Sequence, residues 1–266
     1  MEQPVPKGPL AVRWRGLDLP EIRAGAVSEA VVRLENAGTA AWHSREDTGI
    51  RLSYHWLDER GNAIVWDGIR TPLARPVAPG EALTATVAVR GPVPPGRYRL
   101  AVDLVNEGRL WFAEVGNRPL EAEFEVGPRI ARALAARGGD PEALAAQEEP
   151  LVAEEEAAAV AFLAESVAPA PDWSRRVLDA HQEGHAVVAG SVETPRGFLR
   201  RRPRALEPYA PGPGRVPGFP YPLVCPSAIK GVELAWAEEV AGLPAVHAPR
   251  DEPWVYDARI RLVVAR

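Results

Sequence analysis

Short segments in which apolar and polar residues alternate fill the first half of the chain. Turn residues interrupt these segments at Asn36-Ala37-Gly38, Gly61-Asn62 and Pro94-Pro95-Gly96. A period of two residues is typical of β-strands with one buried face, so the pattern predicts about eight strands. They span residues 10–14, 27–34, 50–57, 63–66, 83–89, 98–105, 110–115 and 120–126.

The same segment shows no pattern with the period of a helix. Successive strands joined by short turns pair antiparallel, and this number of strands closes into two packed sheets. We therefore predict a mainly β chain. Its first domain, residues 1–127, is predicted to be an immunoglobulin-like antiparallel β-sandwich.

The pattern changes after Val126. Residues 129–137 suit a short helix that Gly138-Gly139 would end. Asp140-Pro141-Glu142 then supplies an N-cap residue, a proline at the first helical position and an acid in the first turn. A second helix is predicted from there to about residue 149, before Pro150. We therefore predict a helical linker over residues 128–156.

The rest of the chain predicts a smaller α+β region with proline-rich extended segments, over residues 157–266. An apolar run at 157–163, a helix pattern at 173–183 after Asp172 and an apolar run at 186–192 predict a strand, a helix and a strand. Further on, residues 232–240 suit a helix and residues 255–264 a strand. We expect this last strand to extend the edge of one of the two domains.

Several motifs of the first half carry a family resemblance. They are Asn36-Ala37-Gly38-Thr39-Ala40-Ala41-Trp42, the Pro79-Gly80 turn, Pro95-Gly96-Arg97-Tyr98-Arg99-Leu100 and Trp111-Phe112. In these motifs the chain resembles the four-tryptophan immunoglobulin-like domain. That family occurs in autophagy receptors and, in bacteria, in domains attached to glycosyltransferases and other enzymes. The resemblance implies a binding or spacer module and carries over no catalytic residue.

A second resemblance covers about thirty residues, within 161–173 and 180–190. These segments are similar to the middle of inverting glycosyltransferases of the GT-A fold. In that family, clustered acids after the strand hold a divalent cation on the nucleotide-sugar diphosphate. This chain has Ala164-Glu165-Ser166 there, a single carboxylate where hard cations need several oxygen ligands. The sandwich also replaces the nucleotide-binding half. The resemblance therefore implies a transferase remnant, and we predict no metal or cofactor.

Charge and cysteine content narrow the range of partners. A net charge of -5 argues against nucleic acid as the main partner. Cys225 is the single cysteine, which excludes an internal disulfide. No apolar run reaches the length of a membrane span, and the N-terminus lacks the pattern of a signal peptide. We expect a soluble, cytoplasmic protein and assign it no oligomeric state.

The tryptophans provide the candidate binding residues. Trp42, Trp56, Trp66 and Trp111 are more large rings than the core of one immunoglobulin-like domain usually needs. Either all four rings are core, or some lie near the surface. Alternation along residues 50–57 places Trp56 on one face and His55 on the other. For the surface interpretation the candidates for binding glycan or protein are Trp56, Trp66, Arg70 and Trp111.

Other polar residues suggest weaker candidates. Arg200, Arg201 and Arg202 form part of an arginine-rich run that would suit an anion, or would be a solvated loop that balances the acidic residues 148–156. His181 and His185 have the spacing of a zinc pair, but Gly184 interrupts the helix between them. We predict no catalytic residue and no metal site.

These observations favour a non-catalytic binding or scaffolding protein associated with glycan or cell-surface polysaccharide assembly. Two alternatives stay open. One is a glycosyltransferase completed by a partner chain that supplies the nucleotide-binding half. The other is a protein-interaction adaptor unrelated to sugars.

Overall fold

The computed structural model describes residues 5–45, 48–194, 204–205, 208–210, 212 and 214–264. Strands make up 44% and helices 8% of these residues, so the chain is mainly β, as predicted. It divides into two compact units, Met1–Gly127 and Pro128–Arg266. None of the described helices has the length and apolar character needed to cross a membrane.

Antiparallel strands build the first unit. They are β1 (Val12–Asp18), β2 (Val27–Asn36), β3 (Ile50–Leu57), β4 (Ala63–Val65), β5 (Thr71–Pro72), β6 (Ala82–Arg90), β7 (Gly96–Asn106), β8 (Leu110–Trp111) and β9 (Leu120–Val126). The first sheet has the order β1-β2-β6. The second has the order β4-β3-β7-β8, with β5 paired to β3 and β9 paired to β7. Every sequence-predicted strand of this unit therefore corresponds to a strand, except over residues 112–115.

Both sheets contribute side chains to one core. Alternation along β3 turns Leu52, Tyr54 and Trp56 into this core. Trp42 and Trp56 are completely buried. The Trp56 Nε1–H donates to the carbonyl oxygen of Arg90 at 2.8 Å, and the Arg90 N–H donates to the Tyr54 hydroxyl oxygen at 2.8 Å. These bonds join β3 of one sheet to β6 of the other.

Residues 112–115 form a 3-10 helix (Phe112–Val115) instead of continuing the strand predicted over residues 110–115. The Asp103 carboxylate accepts the Ala113 N–H at 3.1 Å, and the Asn117 side chain donates to the Phe112 carbonyl at 2.9 Å. These side-chain bonds take the place of ladder bonds. The chain then continues into β9, which pairs with β7. Glu121, Glu123 and Glu125 occupy alternate, exposed positions of β9.

The second unit contains a seven-stranded sheet, a two-stranded sheet and two helices. Its elements are β10 (Leu134–Arg137), α1 (Pro141–Ala145), β11 (Ala159–Phe162), β12 (Val167–Pro169), α2 (Trp173–Glu183), β13 (Val187–Thr194), β14 (Arg204–Ala205), β15 (Leu223–Val224), β16 (Ser227–Ile229), β17 (Ala245–Val246) and β18 (Trp254–Val264). The large sheet has the order β10-β11-β16-β13-β18-β12, with β14 paired to β13. The small sheet pairs β15 with β17.

The helical linker predicted over residues 128–156 is wrong. Residues 134–137 are β10, which pairs parallel with β11 and buries Leu134 and Ala135. Asp140 caps α1 as predicted, accepting the Ala143 N–H at 2.8 Å. The helix ends after Ala145, well before residue 149. The Gln147 side chain then bonds to the Ala143 and Ala170 carbonyls at 2.9 and 3.1 Å, which holds this segment on the second unit.

The predicted strand, helix and strand are β11, α2 and β13, but β16 lies between the two strands. Residues 232–240, predicted as a helix, contain isolated β-bridges at Trp236 and Val240 instead. β18 does not extend an edge, because it lies between β13 and β12. In its second half the exposed Arg259 and Arg261 alternate with the buried Ile260 and Leu262, so one face of the strand is covered there and the other meets solvent.

One glycine fixes the packing of the two longest strands of this sheet. Gly190 of β13 pairs with Asp257, and the next residue, Ser191, pairs with Arg261, so three residues of β18 leave the ladder. This excursion turns the Ile260 carbonyl over Gly190. A Cβ atom on Gly190 would lie 2.0 Å from that oxygen. Only glycine fits at this position.

Candidate functional site

The outer face of the six-stranded sheet carries aromatic and charged side chains. Because Leu52, Tyr54 and Trp56 face the core, Ser53 and His55 of β3 face the other way. His55, Trp66, Arg70 and Trp111 meet above this face, and we call these four residues the outer-face cluster.

The three rings of the cluster support one another. The His55 and Trp66 rings are stacked, with centroids 4.3 Å apart and an angle of 28°. The Trp111 ring lies 4.3 Å from His55 and 6.3 Å from Trp66, edge-on to the latter. Trp66 is 57% exposed, whereas Trp111 is 7% and His55 5% exposed. One face of the Trp66 indole is therefore exposed to solvent, and the buried His55 and Trp111 rings pack against it from beneath.

Arg70 completes the cluster. Its guanidinium carbon lies 4.6 Å from the Trp111 ring centre, a cation–π distance. Nε donates to Glu107 Oε1 at 2.9 Å, Nη1 to Ser53 Oγ at 2.8 Å, and Nη2 to Asp67 Oδ1 at 2.8 Å. All three nitrogens are thus engaged, and two carboxylates neutralise the charge. Arg70 is a fixed supporting group, not an open anion receptor.

Gly68 allows the segment of residues 66–70 to pack closely against the sheet. Its N–H donates to the Tyr54 carbonyl at 3.0 Å. A Cβ atom there would lie 2.6 Å from the same oxygen, so the close approach requires glycine. Trp66 and Arg70 flank Gly68 at two residues on each side, which places both side chains over β3.

The structure thus brings together Trp66, Arg70 and Trp111 of the predicted binding residues. The prediction that Trp56 binds a ligand is wrong. Trp56 has the opposite strand parity to His55, so its side chain is completely buried in the core and cannot contact a ligand. Arg200, Arg201 and Arg202 lie outside the described residues. His55 was not among the predicted binding residues, although its parity was the signal that placed it opposite Trp56.

Asp103 lies buried beside the cluster. It stands opposite Ser53 in the ladder and is 0% exposed. Its two carboxylate oxygens accept the N–H groups of Leu104 at 2.8 Å and Ala113 at 3.1 Å, which positions the turn that follows Trp111. Burial raises the pKa of Asp103 to about 7.

This titration predicts a pH dependence of stability. The folded-state pKa of Asp103, about 7, lies above its ordinary value of 3.8. The neutral form therefore stabilises the fold fully below pH 3.8, and this contribution is lost as pH rises through 7. Between pH 3.8 and about 7, we expect the titration of Asp103 to lower the free energy of unfolding by up to about 1.4 kcal/mol per pH unit.

Urea denaturation of the full chain at a series of pH values measures this slope. Asp103→Asn keeps a neutral polar group, so the slope in the variant should be more positive than in the wild type. Equal slopes in the two proteins would show that Asp103 does not titrate in this range.

The second unit offers a buried histidine–serine pair. His181 Nε2 accepts from Ser227 Oγ at 2.9 Å, and His181 Nδ1 donates to the His185 carbonyl at 2.8 Å. His181 and Ser227 are 0% and 1% exposed, and burial lowers the pKa of His181 to about 4. A neutral histidine that is sealed from solvent is a structural group. Cys225 is equally inert, because burial raises the pKa of its thiol to about 12.

The segment that resembles a glycosyltransferase places its single acid at the surface. Glu165 is exposed, in the turn between β11 and β12. Within the described ranges, no group of three or more His, Cys, Asp and Glu side chains is arranged to hold a metal ion.

Comparison with known proteins gave matches among solved structures. No family model and no curated protein matches the chain. One similar solved structure is a family 123 glycoside hydrolase from Clostridium perfringens, studied for glycolipid glycan hydrolysis. It is 12% identical over 47% of this chain and 26% of its own, with a TM-score of 0.24. Another is the human CEP192 PapD-like domain 7, 16% identical over 42% of this chain and 80% of its own, with a TM-score of 0.21. The chain thus spans about a quarter of the hydrolase. Likenesses this distant assign neither a family nor a function.

Proposed function

We propose that the chain is a non-catalytic binding protein associated with glycan or cell-surface polysaccharide assembly, and that the outer-face cluster is its ligand site. The observation that carries this proposal is Trp66, whose indole is 57% exposed and yet fixed by stacking on His55. An ordered, exposed ring loses little conformational entropy when a ligand stacks on it.

The charge of the site favours an uncharged ligand with hydroxyl groups. Asp67 and Glu107 neutralise Arg70, whose nitrogens are already engaged, so a phosphate or sulfate gains no free guanidinium. Asp67 lies beside Trp66, and its side chain is 68% exposed. Its outer oxygen is an acceptor for hydroxyls while the indole covers the apolar face of a ring. A neutral sugar combines those two surfaces.

At the level of fold, the proposal is that residues 1–127 form an immunoglobulin-like β-sandwich similar to the four-tryptophan domain. Two antiparallel sheets that share one core, with Trp42 and Trp56 inside it, support this assignment. The second unit is proposed to be a transferase remnant with proline-rich extended segments. The order of β11, α2 and β13 supports the resemblance, and the isolated Glu165 supports loss of the metal site.

A non-catalytic role is supported by the state of the reactive side chains. The His181–Ser227 pair is sealed from solvent, and Cys225 is buried with a raised pKa. A cytoplasmic location belongs to the same proposal. It is supported by the single cysteine, which leaves the fold independent of an oxidising compartment.

Trp66→Ala tests the site. We expect it to weaken binding of a neutral oligosaccharide by about 1–3 kcal/mol and to change the free energy of unfolding by less than about 1 kcal/mol. Ile64→Ala is the matched control, because Ile64 is 44% exposed in the neighbouring strand β4 and lies outside the cluster. Trp111 is 7% exposed, so Trp111→Ala should instead destabilise the fold.

The binding measurement is an array of neutral and sulfated oligosaccharides, followed by calorimetry on the best ligands. Neutral ligands that bind the wild type and the Ile64 variant, but not the Trp66 variant, would support the proposal. Equal binding by all three proteins, or binding of sulfated ligands alone, would contradict it. The adaptor alternative would gain support if a protein, and no glycan, lost binding with Trp66.

A further inference from the structure

A groove lies on the same sheet face as the outer-face cluster. It has a volume of about 360 Å³, within the usual range of ligand pockets, and it is lined by residues 58–59, 97–99 and 123–125. These residues belong to β7, β9 and the turn that follows β3, and no described residue of the first sheet contributes to the lining. The groove therefore opens on the side of the six-stranded sheet that faces away from the core. We call it the outer-face groove.

The charged side chains of the outer-face groove follow from strand parity. Leu100 of β7 lies in the core, so Arg97 and Arg99 point to the outer face. The ladder places Glu123 of β9 opposite Arg99, and Glu125 opposite Arg97. Residues that stand opposite each other share a face, so these four charged side chains stand around the floor of the groove.

The register of β7 joins the groove to the outer-face cluster. Ala101 is the ladder partner of His55, and Arg99 lies two residues before Ala101 on the same face. Arg99 lines the groove, and its Nη1 donates to Oε2 of Glu121, the ladder partner of Ala101, at 3.3 Å. At about 3.3 Å per residue, Arg97 lies about 13 Å along the strand from Ala101. The groove thus begins beside the cluster and leads away from it.

Three charged side chains of the groove are open to a ligand. Arg97, Glu123 and Glu125 are exposed, and they form no ion pair or side-chain hydrogen bond with any described residue. In the outer-face cluster, by contrast, every guanidinium nitrogen of Arg70 is engaged. A carboxylate accepts hydrogen bonds from hydroxyl groups, and a guanidinium donates hydrogen bonds to hydroxyl oxygens. The groove therefore offers free donors and acceptors beside a ring suited to stacking.

The charge of the groove opposes anionic ligands. Its lining holds two guanidinium groups and four carboxylates, those of Asp58, Glu59, Glu123 and Glu125. One of the guanidinium groups, that of Arg99, is already paired with Glu121. A sulfate, phosphate or uronate substituent placed here would meet more negative than positive charge. Like the cluster, the groove suits an uncharged ligand with hydroxyl groups.

We propose that the outer-face groove is a second subsite, which binds the next units of a neutral oligosaccharide that has one ring stacked on Trp66. The proposal rests on the function proposed above and specifies the ligand as a chain of several sugar units. A single ring on Trp66 does not reach Arg97 and Glu125, whereas a longer chain does. Two subsites on one sheet face add their interactions without a second loss of translational freedom, so affinity should rise with chain length.

The test compares disaccharides with hexasaccharides in neutral gluco-, manno- and galacto-oligosaccharide series, by calorimetry on the full chain. We expect the wild type to bind the hexasaccharide of its preferred series at least about tenfold more tightly than the disaccharide, which corresponds to about 1.4 kcal/mol. The groove variant Arg97→Gln/Glu125→Gln should abolish this difference and leave the affinity for the disaccharide unchanged, because the disaccharide occupies the Trp66 subsite. Trp66→Ala should weaken binding of both lengths.

Asp18→Asn/Arg33→Gln is the matched control. It also removes one acid and one base, an exposed ion pair that joins β1 and β2 of the first sheet. Exposed ion pairs add little to stability, so the control should fold and bind as the wild type does. The groove variant changes two exposed side chains, and urea denaturation should give it the stability of the wild type.

The second subsite is supported if the groove variant binds both lengths equally while the wild type and the control prefer the hexasaccharide. It is overturned if the wild type shows no preference for length, if the groove variant keeps the preference, or if the preference occurs only with sulfated or amino-bearing hexasaccharides. Loss of binding in Trp66→Ala without any dependence on length would remove the second subsite alone. Failure of every neutral series to bind, or equal binding by Trp66→Ala and the wild type, would overturn the proposed function as well.

Discussion

Trp56→Ala is expected to lower the free energy of unfolding by about 3–5 kcal/mol, as truncations of buried aromatic residues do. Trp56 is completely buried, and its ring meets Tyr54 and Tyr98 edge-on at 6.4 and 6.2 Å. The truncation leaves a cavity between the two sheets. It also leaves the Arg90 carbonyl without the indole N–H that bonds to it at 2.8 Å.

Urea denaturation followed by intrinsic fluorescence measures this loss. Trp66→Ala is the control, because it removes the same side chain from an exposed position of the same unit. Similar losses in the two variants would mean that exposure does not distinguish these rings. In that case the assignment of Trp56 to the core and Trp66 to the binding site would be wrong.

Gly190→Ala is expected to destabilise the second unit by about 3 kcal/mol or more, up to failure to fold. The new Cβ would lie 2.0 Å from the Ile260 carbonyl oxygen and 2.6 Å from the Ile260 Cβ. Relief requires β13 and β18 to move apart, and these strands hold the centre of the seven-stranded sheet.

Gly212→Ala provides the comparison within the same unit. The nearest atom to a Cβ at Gly212 is 3.7 Å away, an ordinary contact. Thermal unfolding should therefore show a large decrease in Tm for the Gly190 variant and little change for the Gly212 variant. Equal melting temperatures for wild type and Gly190→Ala would show that β18 does not pack on Gly190 as described.

Strands with local signals were predictable from the sequence. β3 and β9 alternate along their whole length and end at turn residues, so pattern alone located them. β10 was missed because 134–137 is a short alanine- and arginine-containing segment that also suits a helix. Its strand conformation depends on parallel pairing with β11, about 25 residues later, which no local pattern reveals. The same limit explains why β18 was predicted at an edge.

The candidate site was predictable in part. Alternation in β3 placed His55 opposite Trp56, and polar neighbours marked Trp66 and Arg70 as near the surface. The sequence did not show that Glu107 and Ser53 hold Arg70, since these bonds join residues far apart in the chain. It also did not show that Trp111 lies beneath Trp66. That the cluster binds a ligand remains a prediction.

The glutamates of β9 have a consequence for self-association. β9 is paired on one side by β7, and its other side has no strand partner within the described residues. A second copy that added itself antiparallel to this free edge would bring Glu121, Glu123 and Glu125 against the same three carboxylates. Like charges placed opposite each other oppose such pairing. The row of acids is therefore expected to oppose edge-to-edge growth of β-aggregates in concentrated protein.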